Sequence, residues 1–366
     1  MATFQYANPA TIHWGPGCVR ETLDAELRRT TVHRVLLVTT RSAVREPALA
    51  VSVEALLGSR LAQRVVVRQH APVGTLVQAV ESARAAAIDG LVSLGGGSPI
   101  DAAKAIAFSL ATGIDLRLAD AQARGHNASL AEVLPHIALP TTLSVAELSG
   151  SAGFSAEGSQ AKVGVSFPAL RPLAVFYDAQ LARFTPLPLW LSTGIRAVDH
   201  AVETLFASGE HPLPDAAALE GLRRLRRGLV AVRDSPDDLA ARTDCQLGAW
   251  FSYLLPGPAA SGLSHTLGKK IGSPFGIPHG VTSCLLLPHV VRYLAPRAPS
   301  IAAAIAEALG ASDAATGLAD LIARLDLPQH LAQWKLTEVQ LTAVARLVAD
   351  DAHPEEDLLA ILHAAL

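Results

Sequence analysis

The pattern of apolar and polar positions changes once along the chain. In the first half, strand-like runs stand at 34–39, 64–68, 90–94, 136–142 and 173–178, the first of them continuously apolar, separated by helical stretches at 20–29, 51–60 and 76–87. Uninterrupted runs belong to strands covered on both faces, and strands alternating with helices at this interval build βαβ units and a parallel, doubly wound sheet. Phe4, Tyr6, Thr11, Ile12 and Trp14, ahead of Gly15-Pro16-Gly17, predict an opening strand pair and a turn. After the proline-marked stretch 184–188 the period becomes helical, over 190–206, 215–232, 236–255, 301–309 and most of 313–366. The expected fold class is α/β: a doubly wound parallel-sheet domain over residues 1–184, then an all-helical domain over residues 185–366.

One stretch of the first domain, residues 91–107, passes from strand to helix through three glycines. Gly95, Gly96 and Gly97 can take up positive φ and leave bare backbone for a ligand to approach. Ser98 suits the N-cap, Pro99 the first helical position and Asp101 the first turn. A helix beginning there presents unpaired N–H groups and a positive pole, which together favour a phosphate. The spacing matches neither G-x-G-x-x-G nor a P-loop, and a tight turn without a ligand is the other reading of this stretch. The run at 136–142 ends in a polar loop through Thr141, Thr142, Ser144 and Glu147. Ligands of open α/β sheets collect at the carboxyl ends of strands, so both loops are expected on one crevice.

Composition narrows the function classes. Half of the 366 residues are hydrophobic and 17% are charged, enough to build two cores. No stretch approaches the roughly 18 uncharged apolar residues of a membrane span. The N-terminus has neither a basic region nor an apolar signal core, so a cytoplasmic protein that does not enter a membrane is expected. A net charge of −3 without a basic run argues against nucleic acid as a partner. Cys18, Cys245 and Cys284 are far apart and form no C-x-x-C pair, which leaves disulfides and cysteine zinc sites without support. Cys284 reads as a buried small hydrophobe rather than a nucleophile. Against 25 arginines stand five lysines, Lys104, Lys162, Lys269, Lys270 and Lys335. A lysine kept where arginine is the default cation points to work that needs a compact ammonium.

Three histidines of the helical half lie in apolar surroundings: His200, His265 and His279. Imidazole is both the commonest metal ligand and the group that titrates near neutrality, so a site is one reading and satisfied core histidines the other. Arg196 and His200 are four apart, as are His265 and Lys269, which places each pair on one helix face. Were both faces to share a cleft, it would attract an anionic substrate, and its cations would repel a divalent metal.

Together, Pro9-x-x-Ile12-x-Trp14-Gly15-Pro16-Gly17, the Gly95 to Lys104 turn, Leu139-Pro140-Thr141-Thr142, Tyr177-Asp178, Ser192 to His200, and the segment from Gly262 to His279 closing in Leu287-Pro288-His289 span nearly the whole chain. In these segments the chain resembles the iron-type (group III) alcohol dehydrogenases and, within them, the maleylacetate reductase branch. The resemblance implies a dehydroquinate synthase-like fold, with a dinucleotide-binding α/β domain, a helical domain, an active site in the cleft between them, and a homodimer. It also implies a metal site of one aspartate and three histidines. The histidine positions fall on His200, His265 and His279, but the aspartate position is Arg196, so no metal is expected. A further family histidine near the nicotinamide falls on Lys269. The position of the family's NAD-selecting aspartate is Thr40, followed by Arg41, so either NADH or NADPH is expected as cofactor. Lys162 matches a lysine near the nicotinamide ribose.

The function expected is therefore NAD(P)H-dependent reduction of a small anionic carbonyl or enone compound, independent of metal. The cofactor is expected on Gly95, Gly96, Gly97, Ser98, Asp101, Thr141, Thr142, Leu143, Thr40, Arg41 and Lys162. Arg196 and Lys269 are expected to stabilise developing negative charge, with a proton supplied by His265, His279 or Lys269 and with His200 beside them. Two alternatives stand next to this reading. One is a metal-dependent alcohol dehydrogenase using the three histidines, and the other a non-redox enzyme, such as a lyase or cyclase, or a binding protein on the same scaffold.

Overall fold

In the computed structural model, residues 8–69, 71–156, 162–207, 212–254 and 262–366 are described. Phe4 and Tyr6 of the expected opening strand pair lie outside the described residues, as do His70, His211 and the end of the helix expected over 236–255. Two compact units are formed, one by residues 8–185 and one by residues 186–366.

Among the described residues the first unit carries eight strands: β1 (Thr11–Trp14), β2 (Val35–Thr40), β3 (Leu61–Val67), β4 (Gly90–Gly95), β5 (His136–Pro140), β6 (Ser151–Ser155), β7 (Lys162–Ser166) and β8 (Ala174–Tyr177). Six of them form one sheet in the order β1-β8-β5-β4-β2-β3, with every neighbour parallel. Both faces are covered, as the uninterrupted apolar runs require: Val35 and Leu37 enter one core, Leu36 and Val38 the other. Each of these four side chains is fully buried, and burying one is worth about 1.5–3 kcal/mol. From β2 the chain moves outward to β3, then returns to the other side of β2 as β4 and continues to β5. The direction of winding thus reverses between β2 and β4, and the crevice at their carboxyl ends is where ligands of such sheets bind.

Of the expected opening strand pair the described residues hold β1, which pairs in parallel with β8. The antiparallel pair β6–β7 was not expected at all. Its first strand, Ser-Ala-Gly-Phe-Ser, has too few β-branched or apolar residues to carry a strand signal.

The second unit is helical. Leu187–Phe206, Leu263–Phe275 and His279–Leu294 are its site-bearing helices, and Leu267, Ile271, Leu285 and Leu286 of the last two share a core with the C-terminal helices. Pro299–Arg324 has the length and hydropathy of a membrane span. It is nevertheless two helices, Pro299–Leu309 and Ala314–Arg324, because Gly310 at φ +64° ends the first and the Asp313 carboxylate caps the second.

Candidate functional site

In the α/β unit the glycine turn lies at the reversal of winding. Only Gly95 has positive φ, at +136°. A Cβ there would meet Pro99 Cγ at 2.9 Å, so this position requires glycine. Gly96 is extended and forms the N-cap of the Gly97–Thr112 helix, which corrects the expected start by two residues. Ser98 and Pro99 therefore lie inside the first turn, where proline is tolerated because the first N–H groups have no helical acceptor. Asp101 falls beyond the first turn and is engaged by the protein: its carboxylate accepts from Gly153 N (3.2 Å) and from Lys104 Nζ (3.2 Å).

The loop after β5 closes on this turn. Thr141 N donates to Gly95 O (2.9 Å), and the Thr185 hydroxyl donates to Thr141 O (2.6 Å). A Cβ on Gly96 would stand 3.0 Å from Thr142 Oγ1, so the bare backbone is also what lets this loop approach. Leu143 is buried, so its side chain serves packing. Thr40 ends β2 beside Gly95, and its hydroxyl accepts from Ala43 N, capping the short Arg41–Arg45 helix. Lys162 opens β7, opposite Ser155. Beneath the loop, Glu147 is fully buried and accepts from the Tyr177 hydroxyl (3.0 Å), and burial pushes its carboxyl up to about 7. The turn keeps the two features a phosphate needs, bare glycine backbone and a helix N-terminus, so these residues fit a dinucleotide cofactor.

In the helical unit Arg196, His200 and His265 come together around two residues that the sequence reading passed over, Asp199 and Glu203. Arg196, Asp199 and Glu203 follow at three and four residues along the Leu187–Phe206 helix, so they share one stripe of it. Gly262, the N-cap of the Leu263–Phe275 helix, makes room for the Glu203 carboxylate, since a Cβ there would stand 2.2 Å from Glu203 Cδ. Glu203 then accepts from His265 N (3.0 Å) and pairs with His265 Nδ1 at 2.6 Å. Asp199 Oδ2 accepts from the hydroxyls of Ser264 (2.8 Å) and Ser283 (2.6 Å) and lies 3.4 Å from His265 Nδ1. Arg196 donates to the Ser283 hydroxyl at 3.4 Å. The His200 ring packs on His265 with centroids 4.4 Å apart. His279 begins the next helix with its Nδ1 toward Gly272.

The electrostatics follow from burial. Burial acts to raise the Asp199 carboxyl, but His265, Arg196 and the Ser283 hydroxyl outweigh it and hold Asp199 below the usual carboxylate range. Burial and the neighbouring Asp199 raise Glu203. Burial acts to lower His265, yet Asp199 and Glu203 raise it above the ordinary imidazole value. Burial lowers the Arg196 guanidinium, with Asp199 and Glu203 opposing. Lys269 is exposed, yet partial withdrawal from water followed by repulsion from Arg196 lowers its ammonium. Cys284 is buried with its thiol donating to Gly280 O (3.3 Å) and raised by burial, as suits a small core residue.

Asp199, Glu203 and His265 offer three donors within 4.8 Å of one another. Two donors on one tetrahedral zinc stand about 3.4 Å apart, given bonds of about 2.1 Å. The Asp199–His265 separation of 3.4 Å meets that spacing, whereas the Glu203–His265 separation of 2.6 Å is that of an ion pair. Arg196, at the position where the resemblance implies an aspartate ligand, carries a guanidinium that has no lone pair to offer a metal. Asp199 and Glu203 were within reach of sequence reasoning, because two carboxylates at i and i+4 in an apolar helix need a buried partner.

Comparison with known proteins agrees with this picture. A family model described as iron-containing alcohol dehydrogenase matches residues 9–179, and one for the Fe-containing alcohol dehydrogenase family, C-terminal, matches residues 190–364. The chain is 32% identical over 349 residues to a maleylacetate reductase of Rhizobium sp. (strain MTP-10005), covering 95% of this chain and 91% of that protein. It is 30% identical over 344 residues to maleylacetate reductase 1 of Rhodococcus opacus, covering 94% and 88%. The crystal structure of maleylacetate reductase from Agrobacterium tumefaciens matches with a TM-score of 0.85 at 30% identity, covering 100% of this chain and 99% of that chain. The glycine turn, the parallel sheet, the helical unit and these relatives converge on one conclusion: the chain belongs to the iron-containing alcohol dehydrogenase family and is an oxidoreductase.

Proposed function

We propose that this oxidoreductase reduces a small anionic carbonyl or enone substrate of the maleylacetate class with NADH or NADPH, without a metal. The observation that carries the reading is Arg196, whose guanidinium donates to the Ser283 hydroxyl (3.4 Å) beside Asp199 at the position where the resemblance implies a metal-ligating aspartate, with Lys269 at that of a further family histidine. Two cations without a metal suit a substrate that brings its own carboxylates. Similarity to maleylacetate reductases over most of the chain supports the same substrate class and disfavours the plain-alcohol and non-redox alternatives.

When bound, the cofactor supplies the hydride. Gly95, Gly96 and the start of the Gly97–Thr112 helix hold its phosphates, and the Thr141–Thr142 loop lies beside them. Arg196 and Lys269 stabilise the negative charge that develops on the substrate oxygen as its conjugated carbon accepts the hydride. His265, held toward the imidazolium by Asp199 and Glu203, supplies the proton that completes the reduction. At the end of β2, Thr40 offers a hydroxyl where NAD-selective enzymes have a carboxylate, and Arg41 follows it, which accommodates a 2′-phosphate.

The test is oxidation of NADH and of NADPH by maleylacetate, using protein stripped with a chelator and checked for residual metal. Turnover in the stripped state is expected. Turnover that appears only after iron or zinc is restored overturns the metal-independent part of the reading. No turnover under either condition overturns the substrate class.

A further inference from the structure

Among the described residues, the most completely buried cation of the α/β unit has no part in the reaction just described. Lys104 is fully buried inside the Gly97–Thr112 helix. Its ammonium donates to Ala146 O (2.6 Å), Ser151 O (2.6 Å) and Asp101 Oδ1 (3.2 Å). The Ala146 carbonyl lies in the segment joining β5 to β6 and the Ser151 carbonyl opens β6, and Asp101 ties β6 again by accepting from Gly153 N (3.2 Å). Three convergent acceptors suit three ammonium protons, whereas the planar fork of arginine does not match them. That is a physical reason for a lysine here in a chain with five lysines and 25 arginines.

The bonded segment is the one that closes on the phosphate turn. Thr142 approaches the bare backbone of Gly96, Ser144 approaches that of Gly97, and the Thr142 hydroxyl donates to Ser144 Oγ (3.1 Å). Next in the chain is Val145, at φ +54°. A β-branched residue seldom adopts this left-handed region and stays there only when its surroundings hold it. The first carbonyl gripped by Lys104 is that of Ala146, the residue immediately after Val145. The ammonium therefore takes hold of the chain at its strained point.

We infer that Lys104 is a positioning residue for cofactor binding. It keeps the 141–151 segment in its strained course, so that Thr142 and Ser144 stay against Gly96 and Gly97, and it acts through Val145 rather than by touching the cofactor. The inference rests on the reading of the glycine turn as the nicotinamide cofactor site.

The experiment measures NADH and NADPH dissociation constants by calorimetry for wild type, Lys104→Met and Lys104→Met/Val145→Gly, with thermal melts and steady-state kinetics on each. Methionine conserves volume, so a folded variant is expected. Lys104→Met is expected to weaken cofactor binding about tenfold and raise the cofactor KM by a similar factor, while kcat falls less than about threefold. Val145→Gly in that background is expected to recover about threefold of the binding, because glycine takes this φ without strain. A folded Lys104→Met that binds as wild type overturns the inference, even if it melts earlier. No recovery in the double variant overturns the part assigned to Val145. Should Lys104→Met fail to fold, the comparison moves to Lys104→Gln, whose shorter amide still donates; a partial loss supports the inference and wild-type binding overturns it. Wild-type protein that binds neither cofactor overturns the proposed function itself, and the inference with it.

Discussion

Each unit of the molecule contains one buried network of charges, and the two are built differently. In the α/β unit, Lys104 spends two of its three hydrogen bonds on backbone carbonyls, and its third partner, Asp101, is itself bonded to backbone. That network fastens chain to chain. In the helical unit, Arg196, Asp199, Glu203, His265, Ser264 and Ser283 meet chiefly through side chains, and Asp199 Oδ1 and His265 Nε2 have no hydrogen-bond partner among the described residues. Buried polar atoms left this way are costly unless something else satisfies them. The first network is a fixture that sets positions, whereas the second holds capacity in reserve for a ligand.

The sharpest break in this comparison comes from Arg196→Met. It should lower kcat/KM for reduction by about 10²–10³, the usual effect of removing one donor to a developing oxyanion, with cofactor binding retained. Steady-state assays at saturating NADH measure it, and a variant with near-wild-type kcat/KM would place Arg196 outside the chemistry. Lys104→Met should show the opposite division, with cofactor KM raised and kcat nearly kept, so the two variants together separate fixture from reserve.

Glu147→Gln tests the buried carboxyl beside the α/β network through pH. The folded state holds the Glu147 carboxyl at about 7 against an ordinary 4.5, so between these values the folded protein binds more protons than the unfolded chain. Its stability therefore falls as pH rises through that window, by about 3 kcal/mol for this group. Glutamine removes the dependence, and the variant should gain on wild type progressively from pH 4.5 to 7 in urea melts. A constant difference across the window would show that Glu147 titrates normally. The smallest expected effect belongs to Glu203→Gln. Removing a carboxylate beside His265 lowers its affinity for a proton, so the alkaline limb of the kcat profile should move to lower pH. An unmoved limb would mean that another group supplies the proton.

Most of the α/β unit was legible before any coordinates. The runs at 34–39, 90–94 and 136–142 correspond to β2, β4 and β5, because a strand buried on both faces leaves an unbroken apolar signature. The glycine turn was legible for a related reason: a site made of backbone is recorded in the residues that lack side chains. Its helix start was misplaced by two residues because Ser98 and Pro99 carry local signals that an extended Gly96 pre-empted. The β6–β7 hairpin left no such signature, since its small residues acquire strand conformation from pairing rather than from preference.

The helical site was legible in its members but not in its balance. His200, His265, Arg196 and Lys269 stood out by type and spacing, and the loss of an aspartate at position 196 read as a carboxylate lost. The structure shows carboxylates nearby in Asp199 and Glu203, one and two helix turns on, directed at His265. By itself, then, the sequence determined the parallel sheet, the glycine turn, the helical second half and the family, all of which depend on local pattern or on residues near one another in the chain. Tertiary structure alone decided that Glu203 meets His265 across 62 positions, that Ser283 meets Asp199 across 84, and that Lys104 grips a carbonyl 42 residues away. Such contacts depend on which helix face is buried against which neighbour, and no local pattern encodes that.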